Sequence, residues 1–437
     1  LSAVAAAVCI AAVFLMGWKL PARPASGRPM YISAVVVMVL VYVQFQSGAP
    51  SHWGNSSFFS LLIADLSVDR EAAAEASVAV QHSISVDPAG IEQFELGQAR
   101  NVLLVVVEGV HGAYLPQVAE RNRVEPSVYM KHAGQWAQRG WMAPEFMVHV
   151  RQTNRGLYAM LCGDMPRLDG GQPKSMELLD APQEAQACLP NILKRQGYNT
   201  AYIQAADLQF MSKDLVMPQL GFEKVVGKEG FADRGAEPGT GFSWGPTDEA
   251  FFRQAVPKIE ALQASGQPWF ATLLTVGTHY PYGVTDEEIE AAGAPRDAAV
   301  MAADRALEQL LVSLQEKGLL EDTLVIVTSD ESHGLPGHWL GKNWGLFFAL
   351  APDLNPGEQI EIHSSIDIPN SILDYLQLFP QQRTAQGRSI FRRHDAGRSL
   401  MFAAATLRER DEEGLIVSCT GRVRRDGSNL DRECISL

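Results

Sequence analysis

The sequence predicts an α/β fold: a mostly parallel sheet with helices on both faces, preceded by N-terminal transmembrane helices. Three observations predict it. Apolar segments of strand length alternate with segments of helical pattern from residue 98 onward, as in sheets joined by helical crossovers. Residues 102–107 form a continuous apolar run, which is typical of a strand covered on both faces. Two long apolar runs near the start of the chain predict the transmembrane part.

Residues 1–49 are predicted to form a transmembrane helical hairpin. Residues 1–18 are apolar and uncharged, and residues 31–45 are nearly as apolar; each run needs flanking residues to reach the roughly 20 that cross a bilayer. The alternative is a pair of buried core helices. The linker 19–29 carries basic residues and no acid, so the positive-inside rule places it in the cytoplasm. We therefore expect a multi-pass protein of the cytoplasmic (inner) membrane, truncated before Leu1, whose remaining chain is extracytoplasmic (periplasmic).

Residues 50–97 are predicted to be juxtamembrane connector helices, and residues 98–437 a catalytic domain closed by a C-terminal hairpin. Within the connector, residues 57–63 lie either in the membrane interface or in a buried helix, and residues 70–81 form a helix rich in Ala and Glu. Periodicity and stop signals predict the other elements of the domain. They are helices 187–197, 248–265, 297–317 and 366–376, and strands 200–204, 269–276, 324–328 and 345–351.

The net charge limits the kinds of partner that the protein can bind, and the cysteines indicate the compartment in which it folds. The formal net charge of -14 argues against nucleic acid as a partner, because phosphate contacts need a surplus of Lys and Arg. Of the five cysteines, only Cys9 lies in the first apolar run, which leaves four in the outer domain, where disulfides form. Cys162 with Cys188 and Cys419 with Cys434 is one of three possible pairings.

Acidic residues follow two of the predicted strands directly. Glu108 comes after the run 102–107, and Asp330 begins the segment Asp-Glu-Ser-His, which also holds Glu331 and His333. Taken singly, such residues are as readily solvated or capping carboxylates. Because the carboxyl ends of parallel strands meet at one edge of the sheet, together they predict a metal site built from hard ligands.

Thr153 is the predicted nucleophile of this site. An unassisted threonine hydroxyl is a poor nucleophile, and coordination to a cation lowers its pKa. Residues 154–161 are predicted to form a helix whose dipole would favour an anion beside Thr153; the alternative is that Thr153 is only the N-cap. His279, after the strand 269–276, either binds a phosphoryl oxygen or protonates a leaving group, or is an ordinary core histidine. Arg155 either contacts phosphate or is a surface cation.

The order Glu108, Thr153, His279, Asp330 in an alternating α/β domain resembles the alkaline phosphatase/sulfatase superfamily. Within it, the chain is most similar to the lipoteichoic acid synthase group of membrane-bound phosphoglycerol transferases, over residues 101–390. The resemblance implies an alkaline-phosphatase-like fold, with Glu108, Thr153 and Asp330 as metal ligands. It also implies that Thr153 becomes covalently loaded and that His279 binds the substrate.

The chain departs from the pattern of that group at two places. Met211 and Lys213 stand where the group carries a Trp and an Arg that hold the head group of the substrate. The group has a His directly after its Asp, whereas here Glu331 takes that position and His333 follows two residues later. An all-oxygen site with Glu331 favours Mn²⁺ or Mg²⁺, and His333 as ligand favours Zn²⁺ or Mn²⁺, so Mn²⁺ is the expected metal. We expect Glu331 to be the fourth ligand, because it aligns without a gap.

The expected activity follows from this resemblance. A phospholipid donor, phosphatidylglycerol, would transfer glycerophosphate to Thr153, and a hydroxyl of a glycan or lipid acceptor would then take it over. The same machinery would serve a phosphoethanolamine transferase; a phosphodiesterase and a non-catalytic glycan-binding relative are the further alternatives. Sulfatase activity is not expected, because Thr153 stands where sulfatases carry a Cys or Ser that is oxidised to formylglycine.

Overall fold

The computed structural model describes residues 90–92, 94, 96–149, 152–164, 182–335, 343–379, 381–382, 384 and 386–394, and the backbone of four strands between 399 and 436. The predicted transmembrane hairpin and most of the connector, residues 1–89, lie outside the described residues. Among the helices that are described, none combines the length and the apolar character needed to cross a membrane. The transmembrane hairpin and the domain boundaries therefore stay predictions.

The strands and helices alternate along the described chain, as the sequence predicts. The strands are β1 Ile91–Glu92, β2 Asn101–Val107, β3 Trp141–Met142, β4 Phe146–Met147, β5 Asn199–Gln204, β6 Lys224–Val226, β7 Trp269–Leu274, β8 Thr323–Ser329, β9 Phe347–Leu350, β10 Gly357–Glu358, β11 His363–Ser364, β12 Arg392–Arg393, β13 Ser399–Ala403, β14 Thr406–Arg410, β15 Ile416–Val423 and β16 Leu430–Ser436. The helices are α1 Pro116–Asn122, α2 Lys131–Ala137, α3 Thr153–Cys162, α4 Leu189–Arg195, α5 Lys213–Leu220, α6 Asp248–Gln263, α7 Asp286–Ala292, α8 Pro295–Glu316 and α9 Ile368–Tyr375.

The central sheet has the strand order β10-β3-β9-β8-β2-β7-β5-β6. Its five strands from β8 to β6 run parallel to one another, which confirms the prediction of a mostly parallel sheet. The exception is β9, which pairs antiparallel with both β8 and β3. Parallel pairs place their carboxyl ends together, so the residues that follow β2, β7 and β8 meet at one edge of the sheet.

Helices cover both faces of this sheet, because alternate residues of each strand point to opposite sides. Along β2, the side chains of Leu103, Val105 and Val107 pack into one buried cluster, together with residues of α1, α2, α6 and α8. The intervening residues of β2 pack into a second cluster, with residues of α3, α4, α5 and α9. All seven residues of β2 are buried, as its continuous apolar sequence predicts.

Helix α3 is linked covalently to the start of α4. Cys162, the last residue of α3, forms a disulfide with Cys188, which directly precedes α4. This confirms one of the predicted cysteine pairs. The two bonded residues are 26 positions apart in the sequence, so the bond closes a loop of intermediate length.

Replacing both Cys162 and Cys188 by serine is expected to destabilise the fold by about 3.5 kcal/mol, because the unfolded chain regains the freedom of this loop. Urea unfolding, followed by circular dichroism, measures the difference in the free energy of unfolding. A matched control is wild-type protein under reducing conditions, which should approach the stability of the double variant. An unchanged free energy of unfolding in the double variant would contradict the prediction.

The predicted C-terminal hairpin is part of a larger element. Strands β13, β14, β15 and β16 form a four-stranded antiparallel sheet in that order, of which β15 and β16 are the hairpin. The register pairs Cys419 directly with Cys434 across these two strands. A bond between them stays a prediction.

Candidate active site

Glu108 and Asp330 lie side by side at the carboxyl edge of the sheet. Glu108 directly follows β2 and Asp330 directly follows β8, and the register of these parallel strands pairs Val107 with Ser329. Both carboxylates are buried, at 3% and 0% exposure. The sheet therefore brings together the two acidic residues that the sequence singles out.

Backbone and hydroxyl groups hold these two residues in place. The backbone N–H of Glu108 donates to Thr275 Oγ1 at 3.0 Å, and the hydroxyl of Thr278 donates to the carbonyl of Glu108. The N–H of Gly109 donates to Asp330 Oδ1 at 2.9 Å. These bonds tie together the ends of β2, β7 and β8, so the site has a rigid base.

Glu331 and His333 join Glu108 in a cluster of possible ligands. One ligand atom from each of these three residues lies within 4.8 Å of the other two. His333 Nε2 is 2.9 Å from Glu331 Oε1, and the backbone of Glu331 bridges in parallel to His149. The sequence presents Glu331 and His333 as alternatives, whereas the fold places both beside Glu108. Which of the two binds a metal stays a prediction.

The buried acidic oxygens fit a divalent cation. Among the described residues, Glu108 Oε1, Asp330 Oδ2 and Glu331 Oε2 are buried without a hydrogen-bond partner. Burial, followed by the charges of Asp330 and Glu331, raises the pKa of Glu108 well above its usual value, and burial raises the pKa of Asp330 to about 6. Unpaired buried charges are costly, so these carboxylates need either protons or a cation. Oxygen-rich ligand sets suit Mn²⁺ and Mg²⁺, and His333 would add a nitrogen.

Replacing Glu331 by glutamine is expected to raise the Kd for Mn²⁺ by about tenfold or more, a larger change than His333→Gln produces. The reason is that Glu331 supplies a buried negative charge with a free oxygen, whereas the His333 side chain is 31% exposed and contacts Glu331. Titration of chelator-treated protein with Mn²⁺ measures both constants, with the exposed Glu120→Gln as control. The opposite order of the two effects would make His333 the ligand.

Thr153 lies at the start of α3 and faces Glu108. Its hydroxyl donates to Glu108 Oε2 at 3.3 Å. The N-cap of α3 is Gln152, so the alternative that Thr153 is only the cap is wrong. Gly156 lets this helix approach the sheet, because a Cβ atom there would lie 1.9 Å from the carbonyl oxygen of Asp330. A larger residue at this position would force α3 and the backbone of Asp330 apart.

Lys213 is a buried cation of the site. It is 2% exposed, and burial lowers its pKa to about 8 although the negative charges of Glu108 and Asp330 oppose that shift. Its Nζ lies 3.5 Å from the carbonyl of Phe210. Lys213 therefore lies close enough to Glu108 and Asp330 to feel their negative charges, and its contact with substrate stays a prediction.

Arg155 and Met211 lie where α3 meets the segment before α5. Arg155 is 7% exposed, so its interpretation as a surface cation is wrong. Met211 has a positive φ of 59°, and its carbonyl accepts a hydrogen bond from the side-chain amide of Asn154 at 3.0 Å. The backbone of Met211 is thus linked to the first turn of α3, and its contact with substrate stays a prediction, as does the contact of Arg155 with phosphate.

His279 follows β7 and is half buried beside an aromatic group that the sequence analysis missed. Its Nδ1 is 2.7 Å from the carbonyl of Tyr280, and the centroid of its ring is 4.6 Å from that of Trp244. The centroid of the Phe210 ring lies 4.9 Å from that of the Trp244 ring. Burial lowers the pKa of His279, which favours the neutral form of the imidazole. Trp244 lies in the segment Ser-Trp-Gly-Pro, whose sequence contains no motif that would predict a contact with His279.

Comparisons with known proteins indicate a family and a fold. Residues 100–378, more than half of the chain, match the sulfatase family. Two solved structures share the fold: a protein in the alkaline phosphatase superfamily from Vibrio parahaemolyticus (TM-score 0.62, 20% identity, 84% of this chain and 91% of that one) and the lipoteichoic acid synthase LtaP from Listeria monocytogenes (TM-score 0.60, 16% identity, 80% and 93%). The predicted alkaline-phosphatase-like α/β fold is confirmed.

Curated relatives cover part of the chain. Phosphoglycerol transferase I of Xanthomonas euvesicatoria pv. vesicatoria (strain 85-10) is 27% identical over 269 residues, which are 58% of this chain and 38% of that protein. Phosphoglycerol transferase I of Salmonella choleraesuis (strain SC-B67) is 29% identical over 236 residues, which are 51% of this chain and 31% of that protein. The chain matches well under half the length of these relatives.

Proposed function

The chain belongs to the sulfatase family of the alkaline phosphatase superfamily, and on that premise we propose that it is a membrane-anchored, metal-dependent phosphoglycerol transferase. The observation that carries the proposal is the Thr153 hydroxyl at the first turn of α3, 3.3 Å from the buried Glu108 carboxylate. A threonine in this position supports transfer through a phospho-threonine ester. The similarity to two curated phosphoglycerol transferases supports the choice of group.

The residues that would hold the metal are Glu108, Thr153, Asp330 and either Glu331 or His333. A divalent cation, Mn²⁺ in our proposal, would supply positive charge that lowers the pKa of the Thr153 hydroxyl and balances the carboxylates. Lys213 adds a fixed positive charge on the protein side, since it is buried near Glu108 and Asp330. The N-terminal turn of α3 points backbone N–H groups to the same place, which favours a phosphoryl group.

In the first half of the proposed reaction, Thr153 Oγ1 forms a bond to the phosphorus of phosphatidylglycerol. The bond from phosphorus to the diacylglycerol oxygen breaks, and diacylglycerol leaves with a proton. In the second half, the hydroxyl of a glycan or lipid acceptor attacks the phospho-threonine ester, which restores the Thr153 hydroxyl. Such a sequence gives ping-pong kinetics.

His279 suits the proton transfers of this scheme. A carbonyl oxygen accepts only, so the contact with Tyr280 requires the proton of the neutral ring to sit on Nδ1. Nε2 then carries a lone pair and can take the proton of the acceptor hydroxyl as the new ester forms. In the first half of the reaction, the same lone pair takes the proton of the Thr153 hydroxyl and passes it to the leaving diacylglycerol oxygen; in the second half, the proton of the acceptor hydroxyl is passed on to Thr153 Oγ1.

Phosphoethanolamine transfer is the second candidate. The exposed aromatic ring of Phe210 beside Trp244 favours it, because aromatic faces attract ammonium groups. Lys213 favours the neutral glycerol head group, because a buried cation repels an ammonium. We place glycerol first for this reason.

Intact-mass measurement of the full chain tests the proposal. Membrane-inserted protein with Mn²⁺ is incubated separately with phosphatidylglycerol and with phosphatidylethanolamine, and the modified peptide is mapped. A glycerophosphate adduct on Thr153 supports the proposal, and a phosphoethanolamine adduct supports the second candidate. Hydrolysis to free glycerophosphate without any acceptor would indicate a phosphodiesterase. No adduct and no turnover with either lipid would reject both transferases and favour a non-catalytic glycan-binding relative.

A further inference from the structure

The loop after β7 that carries His279 is folded back on itself. The N–H of His279 donates to the carbonyl of Val276 at 3.0 Å, and the N–H of Tyr282 donates to the carbonyl of His279 at 2.7 Å. The N–H of Gly283 donates to the carbonyl of Gly277 at 2.7 Å, which closes the base of the loop. These internal bonds set the shape of the loop, and its placement depends on what holds it from outside.

Asp248 holds the entrance of this loop. It is the first residue of α6 and 4% exposed, and its Oδ1 accepts from the N–H of Gly277 at 2.8 Å and from that of Val276 at 3.3 Å. The fit is close, because a Cβ atom at Gly277 would lie 2.7 Å from the Asp248 carboxyl carbon. A carboxylate that accepts two N–H groups fixes the direction of the chain where it leaves the sheet.

Trp244, in the segment that directly precedes α6, holds the loop near its tip. Its Nε1 donates to the carbonyl of Tyr280 at 3.0 Å, the same oxygen that His279 Nδ1 approaches at 2.7 Å. The Trp244 ring also packs edge-to-face against the His279 ring. The indole N–H of Trp244 thus orients the carbonyl group of Tyr280. Because this carbonyl accepts a hydrogen bond from His279 Nδ1, it determines that Nδ1 is the ring nitrogen that carries the proton.

We propose that Trp244 and Asp248 are positioning residues that hold the His279 loop at two points and present His279 Nε2 to the reacting phosphoryl group. This inference rests on the proposed function for its chemistry and on hydrogen bonds for its geometry. Neither residue contacts the metal ligands in the described hydrogen-bond network. Both act through His279, so their effects on catalysis must disappear when His279 is absent.

The test uses two substitutions in the full chain. Trp244→Phe keeps an aromatic ring and removes the indole N–H, and Asp248→Asn keeps the shape of the side chain and removes its negative charge. Each is expected to lower kcat about tenfold and to leave KM for the lipid within about twofold, because misplacing a proton-transfer group affects the reacting step. In a His279→Ala background the same substitutions are expected to change kcat by less than about twofold.

Matched controls separate positioning from simple destabilisation. Asp304 is also 4% exposed and accepts two backbone N–H groups, from His132 and Ala133 at the start of α2. Trp269 is buried at the opposite end of β7, and its Nε1 donates to Gln263 at 2.8 Å. Asp304→Asn and Trp269→Phe should cost comparable stability with kcat unchanged. Equal kcat losses in these controls, or losses that persist in the His279→Ala background, would overturn the proposal.

A readout independent of turnover separates this inference from the proposed function. In the metal-free full chain with ¹⁵N-labelled histidine, the nitrogen shifts of His279 report its tautomer, and His279→Ala assigns the signal. We expect the Nδ1–H form in wild type and a mixture of both forms in Trp244→Phe. A mixture in wild type would reject the positioning role. If the tautomer behaves as expected while neither lipid reacts, the positioning stands and the transferase proposal fails.

Discussion

Thr153→Ala is expected to lower the rate of phosphoglycerol transfer by about 10⁴-fold or more and to abolish the covalent adduct. The hydroxyl is the only group at the start of α3 that faces Glu108 in the described hydrogen-bond network, at 3.3 Å from its Oε2. Without it the phosphoryl group has no side-chain acceptor in the first half of the reaction. Steady-state kinetics with phosphatidylglycerol and intact-mass spectrometry measure the two effects.

Two controls accompany the Thr153 experiment. Thr153→Ser keeps a hydroxyl in the same turn and is expected to retain adduct formation at a reduced rate. Thr323→Ala removes a buried hydroxyl at the start of β8, at the opposite edge of the sheet from the site, and is expected to leave transfer unchanged. If Thr153→Ala kept the wild-type rate, or if the adduct mapped to another residue, the nucleophile would have to be sought elsewhere.

Glu108→Gln is expected to abolish transfer while it stabilises the metal-free protein at neutral and alkaline pH. Burial and the charges of Asp330 and Glu331 raise the pKa of Glu108 in the folded state. A carboxyl whose folded pKa lies above its unfolded pKa binds its proton more tightly when folded, so stability falls as pH rises through that interval. Glutamine does not ionise, so the stability of the variant does not fall with rising pH for this reason.

Thermal unfolding of chelator-treated protein between pH 5 and 8 measures the effect as a difference between variant and wild type. Because the pKa of Glu108 is raised in the folded state, the difference should be smallest at the acidic end and should grow in favour of the variant towards pH 8. Adding Mn²⁺ at about 100 times its Kd should stabilise wild type by about 2.7 kcal/mol, and the variant by much less. The exposed Glu321→Gln should behave as wild type throughout. A variant that is less stable than wild type at pH 8 without metal would contradict the prediction.

Much of the fold could be predicted because each central strand has a local sequence pattern that identifies it as a strand. The continuous apolar run of β2 and the acid that follows it required no knowledge of the rest of the chain. The two-residue strands β3, β4, β10 and β11 could not be predicted, since two residues carry no periodicity and their pairing depends on distant segments. The antiparallel direction of β9 depends likewise on the path between β8 and β9.

Candidate site residues could be predicted where an acidic residue directly follows a strand. They were missed where a residue reaches the site only through contacts that form between distant segments of the folded chain. Glu108 and Asp330 were predicted from their positions directly after apolar strands, and Thr153 from its place between them in the order of the superfamily that the chain resembles; their roles stay predictions. Trp244 reaches His279 from 35 positions away in the sequence, so only the fold brings them into contact. The choice between Glu331 and His333 could not be made from spacing, because the turn after β8 brings both to Glu108.

The bond between Cys162 and Cys188 also has a consequence for when the protein becomes functional. It anchors the far end of the helix whose first turn carries Thr153. A disulfide of this kind forms in oxidising compartments, whereas the thiol reductants of the cytoplasm keep its two cysteines reduced. With the domain outside the cytoplasm, as the sequence predicts, the helix that presents the proposed nucleophile would be tied down only after export, and maturation of the active site would be coupled to the cell's oxidative folding machinery.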